Sequence, residues 1–583
     1  MSNDIEKNYK FFTTQGFDSS QFIKIFKEQI PELINFNVIH PHQDIYMPSI
    51  DEKEHLHYLC HYLERNGCTN ILLENSYVDR YYLDDFTTYY LLAFPHYKKT
   101  CSRFHFLKLD EIFDEEAFFN NFILNSAYDQ KFEEFYLGFT VIKPLPQFFF
   151  GRTCLKPNCW IYNVGDLLEG SSQEINSENI FFDYRYRANM VGIEVEFKSL
   201  PFQEQDPAIG RCASVSLWTA IHGCSKIFEN IRTPSLSKIT KLANIIPPSA
   251  ERIYPTTGGL DEAQISNVIK RLGMEPEYKC AYDKYDTYFH YLPKEYLYSY
   301  GRLKIPAILL LSLTAQSKAR HAVTMSGINY ITNSYNYQEN EPELDCIHLK
   351  SRELKSIFVH DDNVGPYLHC RVVQNLDDNY KLSLQIPRFK DGFRYQEDEA
   401  EITGVIFLVP DDIRIKFRQI YDNLYGLNAL FNVFLESYEN FERQLIWDVY
   451  LTNVPDFRSS IKNNLNLNNK IKKFLITNNC PHYLWKCRGY YLDGQKEINV
   501  VEIIVDATDL SEVSYISFIF FYQDSILRDF YEFIEEPKFY NDIVAQLQNE
   551  TNFIKLRNKA REMLRIIESS KEQSEDESKA EGD

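Results

Sequence analysis

At 583 residues the chain is too long for one ordinary domain, and about 150 residues per domain suggests three or four. Its formal net charge of −21, with no basic stripe in the linear sequence, argues against wrapping nucleic acid, because neutralising phosphates takes clustered Lys and Arg. No run approaches the roughly 20 apolar residues that span a bilayer; the longest, IPAILLLSLTA (305–315), suits a buried strand.

The start, MSNDIEKNYKFF, is polar and charged, so a secretory leader is not expected and a cytoplasmic protein is. The twelve cysteines are scattered, which suits reduced thiols better than a disulfide framework. Cys154 with Cys159, and Cys480 with His482 and Cys487, are loose groups without a second half. They read as core and loop residues rather than zinc ligands. No metal and no cofactor are expected.

Residues 1–180 read as an N-terminal α/β region. HLHYLCHYLERNG has helical apolar spacing and ends at a glycine, and NILLENSYV follows as a strand. The aromatic stretch DDFTTYYLLAFPHYKKTCSRFHFL is expected to pack across the sheet. EEAFFNNFILNSAY reads as a helix, and LGFTVIKPLP and FFFGRTCL as strands. Glu74, Asp79 and Asp84, and Arg103 with His105, are expected to form solvated edges and buried ion pairs. Gly151, Arg152 and Thr153 offer a weak anion-binding signal, since no helix pattern follows them.

EGSSQEINSEN is polar and turn-rich, as a linker would be. A second region, 181–410, opens with alternating strands in FFDYRYRANMVGIEVEFKSLPF. It continues with the helix-like CASVSLWTAIHGCSKIF, LSKITKLANII and DEAQISNVIKRLGM, the last closed by Gly273. IPAILLLSL, HAVTMSGINY, SIFVHD and GVIFLVP are the strands of this part. Residues 411–567 read as a C-terminal mixed α/β region, with a hairpin in RGYYLDGQKEINVVEIIVDATD turning at Asp493-Gly494 as type I′. The tail 568–583 holds seven acids against two lysines and no aromatic residue, and is expected to be disordered.

Chemistry concentrates in QDPAIGRCASVSLWTAIHGCSKIF. A free thiol is mostly protonated at neutral pH, so a thiol nucleophile needs its thiolate stabilised. Cys212 opens an amphipathic helix whose Leu217, Ile221, Cys224 and Phe228 would anchor it in the core. The unpaired N–H groups of that helix start favour an anion. His321 opens a strand and could take the thiol proton. A carboxylate at the end of SIFVHD would fix the imidazole tautomer. Asp361 and Asp362 are both candidates, and strand alternation favours Asp361. Gln205 could donate to a developing oxyanion together with the Cys212 backbone N–H. The order Gln, Cys, His, Asp, each on a fitting local element, is the signal; each residue alone is weak.

Residues 205–218, GGLDEAQISNVIKRLGM, HAVTMSGI and FVHDD together resemble the papain-like cysteine peptidase superfamily. Within it they look most like the double-glycine (bacteriocin-processing) peptidase group. The likeness covers roughly 195–410, and the flanking regions resemble only uncharacterised bacterial proteins. It implies an α+β fold with a papain-like core, in which the helix bearing the nucleophile packs on an antiparallel sheet. By position it makes Cys212 the nucleophile, His321 the base, Asp361 the orienting acid and Gln205 the oxyanion residue. The chain departs from the group at Ala213, at the doubled Asp361-Asp362, and in lacking a fused transporter, so no bacteriocin export is implied. The expected function is a cysteine hydrolase cleaving an amide bond of a protein or peptide substrate, with no nucleic-acid or membrane partner. An acyltransferase on the same core, or a papain-like binding module without turnover, are the alternatives.

Overall fold

The computed structural model describes residues 8–568 apart from 14–16, 30–49, 94–96, 110–112, 125–131, 146–147, 158–176, 207, 229–230, 244–258, 281–292, 314–318, 333, 336–346, 376–380, 392, 438–443, 510–515, 539–540, 542–543 and 545–549. The acidic tail beyond Glu568, most of the expected linker, and Cys159 lie outside the described residues.

The chain is α+β, with sheets that are antiparallel except for one two-residue parallel pairing. The first sheet is a five-strand meander of β1 (Tyr9–Thr13), β2 (Asn70–Tyr77), β3 (Cys101–Leu107), β4 (Tyr136–Ile142) and β5 (Phe150–Leu155). The aromatic stretch 84–107 does not lie across this sheet as one piece. It starts inside the helix Arg80–Thr88, which Asp79 caps by accepting from the N–H groups of Tyr81 (3.0 Å) and Tyr82 (3.1 Å), and ends as β3. An Asp ahead of the first turn satisfies donors that a strand would have used in its ladder.

The central sheet holds β6 (Ser177–Phe181), then, beyond the separate hairpin β7 (Tyr184–Met190) and β8 (Ile193–Ser199), the strands β9 (Met274–Cys280), β10 (Ala307–Leu313) and β11 (Arg320–Ile331). After β12 (His348–Leu349), which belongs elsewhere, it continues with β13 (Leu354–Asp361), β14 (Gly365–Asn375), β15 (Lys381–Lys390) and β16 (Phe393–Pro410). The order is β10-β11-β13-β14-β15-β16, and β10 pairs back onto β16, so six strands close into a ring. β14 and β15 were not expected from the sequence. Pro387 sits inside β15, and the polar alternation of KLSLQIPRFK is a weak strand signal.

The helix Cys212–Ile227 is buried on every side from Ala213 to Cys224, not on one face only. The ring lies against it through β11, while Tyr81 of the first region packs edge-on against Trp218 at 5.4 Å and His222 at 5.2 Å. The β7–β8 hairpin presses on it at Gly223, where a Cβ would come within 2.4 Å of Pro306 and 3.1 Å of Tyr184. A helix enclosed by three layers needs apolar or small residues all round.

The last sheet is β12-β17-β18-β19-β20, with β17 (Ile446–Asn453), β18 (Tyr483–Asp493), β19 (Lys496–Asp506) and β20 (Ile516–Phe521). The β18–β19 loop is Gly494-Gln495, between the paired Asp493 and Lys496. Glycine leads at φ 63°, so the turn sits one residue later than the sequence suggests. One continuous apolar core runs through all three sheets. No helix among the described residues is long and apolar enough to cross a membrane.

Candidate active site

The loop before Cys212 is tightly set. Asp206 and Gly210 exchange backbone hydrogen bonds of 2.8 and 2.7 Å, and the Asp206 carboxylate accepts from the Ala208 N–H at 3.0 Å and from the buried Tyr90 hydroxyl. Arg211 is the extended residue ahead of the helix, and no side chain caps the first turn. The N–H groups of that turn start at the half-exposed Cys212 thiol.

Two reciprocal hydrogen bonds lock this helix to β11. Ser216 Oγ donates to the Ala322 carbonyl at 2.8 Å, and Thr324 Oγ1 donates to the Ser216 carbonyl at 2.8 Å. Each is worth about 1 kcal/mol, and together they fix the helix start against the strand that carries His321. His321 is 7 % exposed.

Asp361 ends β13, the neighbour of β11, and its Oδ1 lies 2.9 Å from His321 Nε2. Asp362 Oδ1 lies 3.7 Å from the same nitrogen. Strand alternation would have sent one of them away, but the β13–β14 register shifts between Val359 and Asp361, and the chain turns there. The doubled aspartate thus brings both carboxylates to one side of the imidazole. With Nε2 so engaged, Nδ1 is the nitrogen left for the Cys212 thiol, which is within hydrogen-bonding reach of the ring.

Asn363 follows the aspartate pair directly. Its backbone N–H donates to Asp361 Oδ1 at 3.0 Å, its Nδ2 lies 3.4 Å from His321 Nε2, and its Oδ1 accepts from Gln205 Nε2 at 3.1 Å. Gln205 is thus brought to the cluster, held by Asn363, with its second amide hydrogen open to another acceptor.

Burial works against a charged His321, yet the Asp361 carboxylate, the hydrogen bonds to Asp361 and Cys212, and the more distant Asp362 hold the imidazole well above its ordinary range. Asp361 is likewise buried, but His321, the Asn363 N–H and Arg388 hold it below the usual carboxylate range. Asp362 is pushed up, by burial first and by Asp361 beside it, with His321 opposing.

The turn at 361–366 rests on the helix Glu54–Arg65 of the first region. His55 Nε2 meets the Asp362 carbonyl at 2.7 Å, and the Tyr58 hydroxyl donates to the Pro366 carbonyl. Glu54 pairs with Arg388 at 2.5 Å and accepts from the Phe389 N–H at 2.9 Å. Gly365 permits the approach: a Cβ there would sit 2.5 Å from the Tyr58 ring.

The other marked residues are structural pairs. Arg103 and His105 both bind Glu74, at 2.5 and 3.1 Å, and Asp84 meets Lys238 at 2.5 Å. Arg152 pairs with Asp79 at 3.1 Å and donates to the Tyr77 hydroxyl at 2.9 Å, so the 151–153 segment, lying in β5, has its cation engaged. Cys154 and Cys487 are buried, and among the described residues Cys480, His482 and Cys487 do not gather around one point. No protein-family model, no curated protein and no solved structure matches the chain.

Proposed function

We propose that the protein is a cysteine hydrolase of papain-like build, acting as a peptidase through Cys212, His321 and Asp361. The observation that carries this reading is the row of groups just described: a thiol at an uncapped helix start, an imidazole beside it, and a carboxylate 2.9 Å behind the imidazole. A helix bearing the thiol against antiparallel strands bearing the base and acid supports the papain-like build.

In this mechanism His321 takes the Cys212 proton, and the thiolate attacks the carbonyl carbon of the scissile amide. The developing oxyanion is met by the N–H groups of the first helical turn and by the open amide hydrogen of Gln205. His321 returns the proton to the leaving amine as the C–N bond breaks, which leaves a thioester on Cys212. Water, deprotonated by His321, then hydrolyses the thioester and restores the thiol. Asp361 holds the ring through Nε2 and favours its charged form. The substrate is a protein or peptide. The nine cysteines whose side chains are described are free thiols, which suits a reducing, cytoplasmic setting.

The test is labelling with a peptidyl vinyl sulfone, followed by mapping of the adduct. Selective modification of Cys212, suppressed about 10²–10⁴-fold by His321→Ala, is expected. Labelling spread over several cysteines, or indifferent to that substitution, would sink the proposal. Adding a primary amine to a turnover assay separates hydrolysis from acyl transfer.

A further inference from the structure

One feature of the site exceeds what thiol catalysis requires. A triad needs a single carboxylate, and here a second one faces the same imidazole nitrogen. Asp362 is 2 % exposed, and neither of its carboxylate oxygens has a hydrogen-bond partner among the described residues. Leaving a buried acceptor without a donor costs about 1–3 kcal/mol, and more for a charged group. No Lys or Arg pairs with Asp362 among the described residues, and its nearest counter-charge is His321 at 3.7 Å. Two buried carboxylates thus face one imidazole, and of the two only Asp361 takes its hydrogen bond.

We propose that His321, Asp361 and Asp362 form a binding site for a divalent cation of the zinc class. One imidazole nitrogen and one oxygen from each carboxylate lie within 4.8 Å of one another, and all three residues are buried. Around a tetrahedral ion with ligands at about 2.0–2.1 Å, ligand atoms stand about 3.3–3.4 Å apart. The separations of His321 Nε2 from Asp361 Oδ1 (2.9 Å) and Asp362 Oδ1 (3.7 Å) bracket that spacing, so small side-chain adjustments seat the ion. The donor set of one nitrogen and two oxygens suits Zn²⁺ or Mn²⁺ rather than ions that demand thiolate. Three protein ligands leave a position for water.

The consequence for activity rests on the hydrolase reading; the binding itself does not. An ion on Nε2 uses the lone pair there and places the ring proton on Nδ1. A protonated Nδ1 cannot accept the Cys212 proton, so an occupied site is an inactive one. The cation and the thiolate chemistry exclude each other through a single imidazole.

Calorimetric titration of Zn²⁺ into Cys212→Ala protein tests the site apart from the nucleophile. The same titration is run with Asp362→Asn and with His321→Ala added in that background. One tight equivalent in the parent, weakened at least tenfold by each added substitution while circular dichroism and melting stay those of a folded protein, is expected. Cysteines elsewhere contribute alike to all three proteins and cancel. An unchanged tight equivalent in both variants, or none in the parent, overturns the site. Zn²⁺ binding without probe labelling of native Cys212 refutes the hydrolase and keeps the site, and labelling without binding does the reverse.

Discussion

Two buried carboxylate centres in this molecule make opposite use of burial. At the junction with the last sheet, Asp448 accepts from the Tyr298 hydroxyl at 2.8 Å and faces Arg302 at 3.3 Å and Arg488 at 3.0 Å. Arg488 also meets Glu497 at 3.0 Å, and Glu497 meets Lys350 at 2.6 Å. Burial is overcome there by the Arg302, Arg488 and Lys350 charges, which hold Asp448 far below the usual carboxylate range. At the Cys212 site the pair Asp361-Asp362 has one imidazole between them, and the Asp362 carboxylate has no hydrogen-bond partner among the described residues. The first centre is saturated and ties the last sheet to the helix Pro293–Gly301. The second keeps acceptors open, an arrangement that costs stability and suits chemistry.

The comparison breaks if substitutions at the two centres produce the same kind of effect. Asp361→Asn is expected to slow vinyl sulfone labelling of Cys212 about 10²–10⁴-fold while the chain stays folded, because an amide cannot favour the charged imidazole. Asp448→Ala is expected to lower the unfolding free energy in urea by about 3–5 kcal/mol, because two guanidinium groups lose a buried partner. Asp362→Asn, by contrast, removes a carboxyl group that has no hydrogen-bond partner among the described residues and is expected to cost no more than about 0.5 kcal/mol in the same assay.

Asp85 is an intermediate case. Its carboxylate accepts from the Ser237 N–H at 2.9 Å and has no cation within salt-bridge distance among the described residues. Burial pushes it up to about 7, against the Ser237 hydrogen bonds. Its folded-state value lies above the unfolded one, so its stabilising contribution is complete below about pH 4 and is lost as pH rises through about 7. Asp85→Asn should flatten the decline in stability between pH 4 and 8 by on the order of 1–3 kcal/mol, read from melts across that range. A variant with the same pH slope as the parent would place the titration elsewhere. Asn363→Ala should reduce the labelling rate at Cys212 about fivefold, the loss of roughly one hydrogen bond's worth of positioning. Its own thermal melt should barely move.

Much of this could be read locally. Cys212 at a helix start, His321 at the head of a strand and Asp361 at the end of SIFVHD each follow from short-range pattern, and the structure brings them together. Asn363 could not be read, because an Asn after two Asp residues has the same local meaning in any turn. The approach of Asp362 to His321 depends on a register shift that alternation does not foresee. The closure of β10 onto β16 was equally hidden, since the paired segments are about a hundred residues apart and neither carries a mark of the other. The enclosed helix looked one-sided because the residues that cover its far side, Tyr81 and Tyr184, come from other parts of the chain.

The contact between Gly365 and Tyr58 bears on how the protein is made. During synthesis the helix holding Tyr58 emerges long before the turn that holds Gly365, and His55 waits 307 residues for the Asp362 carbonyl. The early part of the chain therefore acts as a mould against which the last piece of the site is cast. A fragment begun at residue 177 would contain every group named in the mechanism and lack the surface that sets the acid in place.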